Sequence, residues 1–235
     1  MTHTRIGCAS WSIDRASAPH FATDGSHLQR YARVMNAVEI NSSFYRPHQA
    51  STYARWADDV PDDFRFSVKL PRSITHDHRL KEVNELLARF AGEAGALGAK
   101  LGCVLVQLPP SLALDTAPAD ALFARLSALF RCAVACEARH PSWFSATGTA
   151  LLQAHNVARV IADPPAGQPG PHVPTCDMIY ARLHGSPRMY YSAYTDEYLD
   201  SVAAYLADKD GWVIFDNTAS GAALPNALAL MKKTT

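Results

Sequence analysis

The 235-residue sequence has no excess of charge of either sign: lysine plus arginine and aspartate plus glutamate number 22 each, and the sequence pI is about 7.1. No global field therefore draws nucleic acid or an anionic membrane to the surface, and an anionic ligand has to be held by charges placed locally. Long apolar runs are missing as well. The opening Met1-Thr2-His3-Thr4-Arg5-Ile6 leads into a short apolar strand, with neither a signal-peptide core nor a spanning segment, so a cytoplasmic protein with no membrane partner is expected. Cysteine is sparse: Cys8, Cys103, Cys132, Cys136 and Cys176 are odd in number and set mostly in apolar stretches, which suits buried thiols and not a disulfide framework. Cys132 and Cys136 stand four apart, but no second pair at zinc-ligand spacing accompanies them. There is no P-loop, dinucleotide fingerprint, redox CxxC, Ser-His-Asp order or fixed-period repeat, and Gly95-Ala96-Leu97-Gly98 reads as a helix end.

What is present is alternation. Eight short runs rich in β-branched and aromatic residues, at 5–10, 37–41, 64–70, 101–108, 132–139, 159–163, 178–184 and 212–217, predict strands. Helix-like segments lie between them, among them 28–35, 52–57, 83–96, 119–130, 149–155 and 198–207. Strict alternation of strand and helix means a parallel sheet, either an open doubly wound sheet or a closed (β/α)8 TIM barrel; eight units in this length, without a glycine-rich first loop, favour the barrel. The proline- and glycine-rich stretch 164–171 reads as a loop after the sixth strand, because the residues beyond it are too few to bury a core of their own. One domain over residues 1–235 is expected.

Each predicted strand is apolar until its last residues and then turns polar. The ends are Glu39 and Asn41, Lys69, Gln107, Glu137 with Arg139 and His140, Asp163, Tyr180 with Arg182 and His184, and Asp216 with Asn217. Period-two geometry sets Glu39 with Asn41, Glu137 with Arg139, and Tyr180 with Arg182 and His184 on one face of their strands. With helices outside a barrel that face points inward, at the carboxyl-terminal end where such folds carry their sites.

The blocks Gly7-Cys8-Ala9-Ser10-Trp11, Glu39-Ile40-Asn41-Ser42-Ser43-Phe44-Tyr45, Lys69-Leu70-Pro71-Arg72 with Thr75-His76, and Gln107-Leu108-Pro109-Pro110 come in order along the chain. They are followed by Glu137-Ala138-Arg139-His140 with Trp143, Tyr180-Ala181-Arg182-Leu183-His184-Gly185, Tyr194-Thr195, and Phe215-Asp216-Asn217-Thr218 with Asn226-Ala227. Over nearly its whole length the sequence thereby resembles the domain-of-unknown-function 72, or YecE-like, family of bacterial and archaeal proteins. The resemblance implies a TIM-barrel fold and carries no established reaction. Ile13-Asp14-Arg15 departs from the aromatic-rich stretch the family leads one to expect in the first loop.

Several chemistries suit the strand-end residues. Lys69, Arg139 and Arg182 can form an anion pocket, since arginine forks match carboxylate or phosphate and lysine adds a point charge; the alternative is an internal salt-bridge network with Glu39, Glu137, Asp163 and Asp216. Glu137, Asp163, His184 and Asp216 follow the order of acids and imidazole that resembles the single-metal site of xylose-isomerase-like barrels, a group with sugar epimerases and an endonuclease class. Mg2+ or Mn2+ would be the ion, though no residue is assigned to a metal and the cofactor is unknown. His76, His140 and His184 are candidates for proton transfer, with Glu39 and Glu137 as a carboxylate pair, unless Glu39 only orients Lys69. Trp11, Phe44, Tyr45, Trp143, Tyr190, Tyr191 and Tyr194 favour a cyclic ligand, and Asn41 and Asn217 suit hydroxyl recognition. The expectation is an enzyme acting on a small anionic, sugar- or nucleotide-like partner, with hydrolysis, lyase chemistry and isomerisation open. The rivals are a nucleic-acid binding or repair protein, which the neutral charge disfavours, and a non-catalytic ligand-binding barrel.

Overall fold

Runs such as Ala-Val-Glu-Ile and Gly-Trp-Val-Ile-Phe can bury both faces of a strand, and the chain uses them that way. The structure, a computed structural model, describes residues 4–234. Its strands are β1 (Thr4–Cys8), β2 (Ala37–Ile40), β3 (Arg65–Lys69), β4 (Leu101–Gln107), β5 (Ala133–Glu137), β6 (Ala158–Arg159), β7 (Ile161–Asp163), β8 (Ile179–Leu183) and β9 (Gly211–Phe215). The helices are α1 (His27–Ala32), α2 (Ser42–Tyr45), α3 (Ala50–Asp58), α4 (Asn84–Ala94), α5 (Thr116–Leu129), α6 (Ala146–Ala154), α7 (Asp196–Leu206) and α8 (Ala223–Thr234). Their starts follow local chemistry: the Ser26 side chain accepts from Gln29 N while Gln29 reaches back to Ser26 N, a reciprocal cap on α1.

Every strand pairing is parallel, and the strands fall into two sheets, ordered β1-β9-β8-β7 and β2-β3-β4-β5-β6. Among the described residues the strands therefore pair as two parallel sheets and not as one continuous hydrogen-bonded ring. The expected sixth strand divides at Val160: β6 pairs with β5, β7 pairs with β8, and Val160 N bonds Cys136 O at 3.0 Å between them. At the other junction β1 and β2 lie together with no ladder among the described residues. A side chain joins them instead. The Tyr31 hydroxyl of α1 accepts from Cys8 N at 2.9 Å and donates to Ala37 O at 3.1 Å. Gly7 permits this approach, since a Cβ there would lie 2.1 Å from Ala37 O.

Alternation along the strands sorts the interior into two apolar sets. Ile6, Val38, Val68, Val106, Cys136, Leu183 and Phe215 pack outward with the helices in the main core. Ala37, Cys103, Leu105, Ala135, Tyr180, Trp212 and Ile214 form a smaller cluster on the opposite strand faces. Burial of such side chains under the helices stabilises the fold by roughly 25 cal/mol per Å² of apolar surface. The smaller cluster ends where polar residues begin, one step nearer the carboxyl ends. The five cysteines are free thiols. Among the described residues no helix is long and apolar enough to cross a membrane.

Candidate functional site

Two positions beyond the last apolar residue of that inner face, β2, β5, β8 and β9 present Glu39, Glu137, Arg182 and Asp216. Arg182 is fully buried and is their hub. Its Nε and Nη2 donate to the two oxygens of Glu39 at 3.0 and 2.7 Å, Nη1 donates to Glu137 Oε2 at 2.5 Å, and Nη2 also reaches Asp216 Oδ2 at 3.0 Å. All but one of the guanidinium N–H groups are used. Tyr180, two residues earlier on β8, donates its hydroxyl proton to Glu39 Oε2 at 2.8 Å and accepts from Ser67 Oγ at 2.6 Å. The inner face of β8 thus stitches both sheets together through charge. An isolated buried carboxylate would be strongly disfavoured, and forked, charge-assisted bonds are what make these tolerable.

His184 continues the same face. Its Nδ1 meets Asp216 Oδ2 at 3.0 Å, and its Nε2 stands 3.4 Å from Glu137 Oε1, beyond good hydrogen-bond reach. Burial pulls the imidazole down, but Asp216 and Glu137 outweigh it and hold its pKa above the ordinary value. Burial likewise pushes Glu137 up, against which Arg182, His184 and Arg139 hold the carboxyl well below the usual range. Asp216 is also lowered: burial opposes, while Arg182 and His184 prevail. Arg139 forks onto Glu137 Oε1 at 2.8 and 2.6 Å with its side chain 18% exposed, and Asp216 is 14% exposed, so these two face solvent where Arg182 does not.

Lys69, at the end of β3, is different. It is buried, yet Nζ has neither a hydrogen bond nor a carboxylate partner among the described residues; it stands 4.3 Å from the centroid of the Phe44 ring. Burial, with the Arg182 charge, lowers its pKa to about 8. Glu39 does not pair with it, because Arg182 and Tyr180 occupy both Glu39 oxygens. Ser43 Oγ ties the start of α2 to this strand end, its single proton shared between Lys69 O at 2.7 Å and Ile40 O at 2.9 Å.

The remaining sequence candidates serve several tasks. His76 packs edge-on to Phe44 at 5.0 Å, with burial and the Arg72 charge lowering its pKa. His140 caps the turn Pro141–Phe144, its Nδ1 accepting from Ser142 N at 3.2 Å. Tyr194 is a tether: its hydroxyl accepts from Gly185 N at 2.8 Å and donates to Asp163 Oδ1 at 2.9 Å. Asn217 Nδ2 holds Ser192 O at 2.9 Å and Asn226 Oδ1 at 3.0 Å, while its Oδ1 is buried without a partner, as is that of Asn41. Trp11 packs edge-on to Trp56 at 5.0 Å, and Tyr45 projects outward, 78% exposed. Sequence reasoning passed over Tyr31, Ser43 and Ser67, whose hydroxyls join strands. Only the serine pair within Asn41-Ser42-Ser43-Phe44 gave any hint.

The divalent-metal reading does not fit these residues. Glu137 and Asp216 are turned onto Arg182, Arg139 and His184, while Asp163 is drawn away to Tyr194, so the expected quartet is not assembled. Among the described residues no group of three or more potential ligands is arranged to hold an ion.

Comparison with known proteins places the chain in company of the same kind. The family model described as protein of unknown function DUF72 matches residues 5–235. The UPF0759 protein YecE of Escherichia coli K12 is 32% identical over 167 residues, covering 67% of this chain and 58% of YecE. The chain thus spans little more than half the length of that curated relative. A DUF72 family protein from Enterococcus faecalis V583 superposes with a TM-score of 0.82 at 21% identity, over 99% of this chain and 95% of that one. A D-psicose 3-epimerase with D-tagatose from Clostridium cellulolyticum H10 gives a TM-score of 0.53 at 8% identity, over 100% and 98%, a likeness of fold alone.

Proposed function

This chain belongs to the protein-of-unknown-function DUF72 family, and from the geometry of its charged layer we propose that it is an enzyme acting on a small anionic ligand of the sugar-phosphate or nucleotide class. One observation carries the reading: Lys69 is the cation left over. Glu39, Glu137 and Asp216 are in contact with Arg182, Arg139 and His184, and reach Lys69 only through longer-range attraction, with no hydrogen bond or ion pair to its Nζ among the described residues. A buried cation at a strand end with no contact partner is poor design for stability and good design for an incoming anion. Arg139, partly open to solvent in the same layer, supplies a fork for the same charge.

In this reading the two sheets are halves of one (β/α)8 barrel and one domain over residues 1–235, with Tyr31 replacing the ladder at one junction and Val160 crossing the other. The polar layer is then the floor of its mouth. His184, its pKa held above the ordinary value between two acids, is the proton donor of the site, and proton transfer is the step that hydrolysis, elimination and isomerisation share. Free cysteines and the lack of a membrane-crossing helix among the described residues suit a cytoplasmic setting. Neutral overall charge argues against extended duplex contacts.

Thermal-shift and calorimetric titration with phosphosugars, nucleotides and the matching neutral sugars tests the proposal. Anions should raise the melting temperature where neutral sugars do not, and Lys69→Met should remove the difference. Equal response to charged and neutral ligands, or none to either, would overturn it.

A further inference from the structure

Resting on the reading of this layer as an anion site, we infer that Lys69 is a nucleophilic amine that condenses with the carbonyl carbon of a small anionic aldehyde or ketone to form an imine. The geometry separates Lys69 from every other lysine of the chain. Lys81, Lys100, Lys209 and Lys233 each pair with an aspartate, and Lys232 is exposed. Lys69 alone is buried, and its Nζ rests on an aromatic face that offers no lone pair. The carboxylates in its own layer are bonded to Arg182, Arg139 and His184, so they favour its ammonium form only from a distance and by less than burial and Arg182 oppose it. A lysine meant only to clamp an anion gains from being permanently charged and forked, which arginine does better. An amine meant to attack must be free to lose its proton, and desolvation beside another cation is the usual route. Here burial and Arg182 bring Lys69 to about 8, which gives it on the order of a hundred times the neutral fraction of an ordinary lysine at pH 7.

The step balances without a redox partner. The Nζ lone pair adds to the carbonyl carbon, the C=O π pair moves to oxygen, and one amine proton passes to that oxygen to give a carbinolamine. Nitrogen then re-forms a double bond to carbon as the hydroxyl leaves as water with a proton from solvent. The resulting protonated imine draws electrons from the neighbouring carbon, so a proton or a carbon fragment can depart there. The anionic group of the substrate lies toward Arg139, the partly exposed arginine of the layer.

The test is reductive trapping. Full-length protein is incubated at pH 7 with cyanoborohydride and, separately, pyruvate, dihydroxyacetone phosphate, glyceraldehyde 3-phosphate and pyridoxal 5′-phosphate, then read by intact mass and peptide mapping. The expected product is a single adduct, heavier by the compound less one oxygen, on Lys69 and formed at least on the order of tenfold faster than on Lys232. Lys69→Arg, which keeps the charge, should lose the adduct and keep its thermal stabilisation by inorganic phosphate. Stabilisation of the wild type by phosphate with Lys69 labelled no faster than Lys232 overturns the imine and leaves the anion site standing. Neither stabilisation nor preferential labelling overturns both.

Discussion

Arg182 is the residue on which the charged layer depends, because three carboxylates converge on one guanidinium in the buried interior. Arg182→Met should cost about 3–5 kcal/mol in urea unfolding, since the acids are left without a countercharge, and Arg182→Lys should not restore it, since an ammonium cannot fork. A loss below about 1 kcal/mol would mean that the acids are solvated in the native state. Lys69→Met should do the opposite, raising stability by about 1–3 kcal/mol as a buried cation without a contact partner is removed while anion binding is lost. The pH dependence has a sign for each group. Glu137 and Asp216 are lowered on folding, so their contribution is present above about pH 4.5 and is lost as pH falls through their native values. His184 is raised, so its contribution is full below about pH 6.5 and is lost as pH rises past its native value. For these three groups stability measured by chemical denaturation is greatest between these limits, whereas Lys69, lowered to about 8, adds stability as pH rises past that value, so His184→Gln should flatten the decline between about pH 6.5 and pH 8. Period-two spacing makes the residues of this layer legible in the sequence. Which acid meets which base is not legible, because Glu39 and Arg182 are paired across 143 residues. Nor does sequence distinguish Tyr194, whose hydroxyl ties down a loop, from a tyrosine aimed at a ligand.

At the scale of elements, the junction between β1 and β2 depends on a tyrosine where a ladder would ordinarily be. Tyr31→Phe removes one oxygen but strands two buried backbone groups, Cys8 N and Ala37 O, so it should cost about 2–4 kcal/mol. Native-state hydrogen exchange should show the loss concentrated at Cys8. Unchanged protection there would mean that the strands hold each other without the hydroxyl. The strands themselves are easy to see in the sequence, since fully buried parallel strands read as short continuous apolar runs. The break between β6 and β7 is not, because Arg159-Val160-Ile161 is uniform in β propensity and only the change of partner divides it. The π-helical turn Ser73–Asp77 and the single turn α2 carry too few residues for any periodicity to register.

At the scale of the whole molecule, two sheets could mean two folding units, and the packing argues otherwise. The main core takes residues from both sheets, Ile6 and Phe215 from one and Val38 and Val106 from the other. Between β6 and β7 the chain passes from one sheet to the other at a single residue, Val160, leaving no linker there at which they could part. Arg182 in one sheet is bound to Glu39 and Glu137 in the other, so opening the sheets exposes apolar surface and uncovers three buried charges in the same event. The two losses reinforce one another, and the cooperative unit should be the entire chain. Differential scanning calorimetry should then show one transition, with an enthalpy of about 160 kcal/mol near 60 °C at about 0.7 kcal/mol per residue and a van't Hoff value equal to it. Two resolved transitions, or a van't Hoff enthalpy near half the calorimetric one, would show that the sheets melt apart and that the charged layer joins two units that are stable without it.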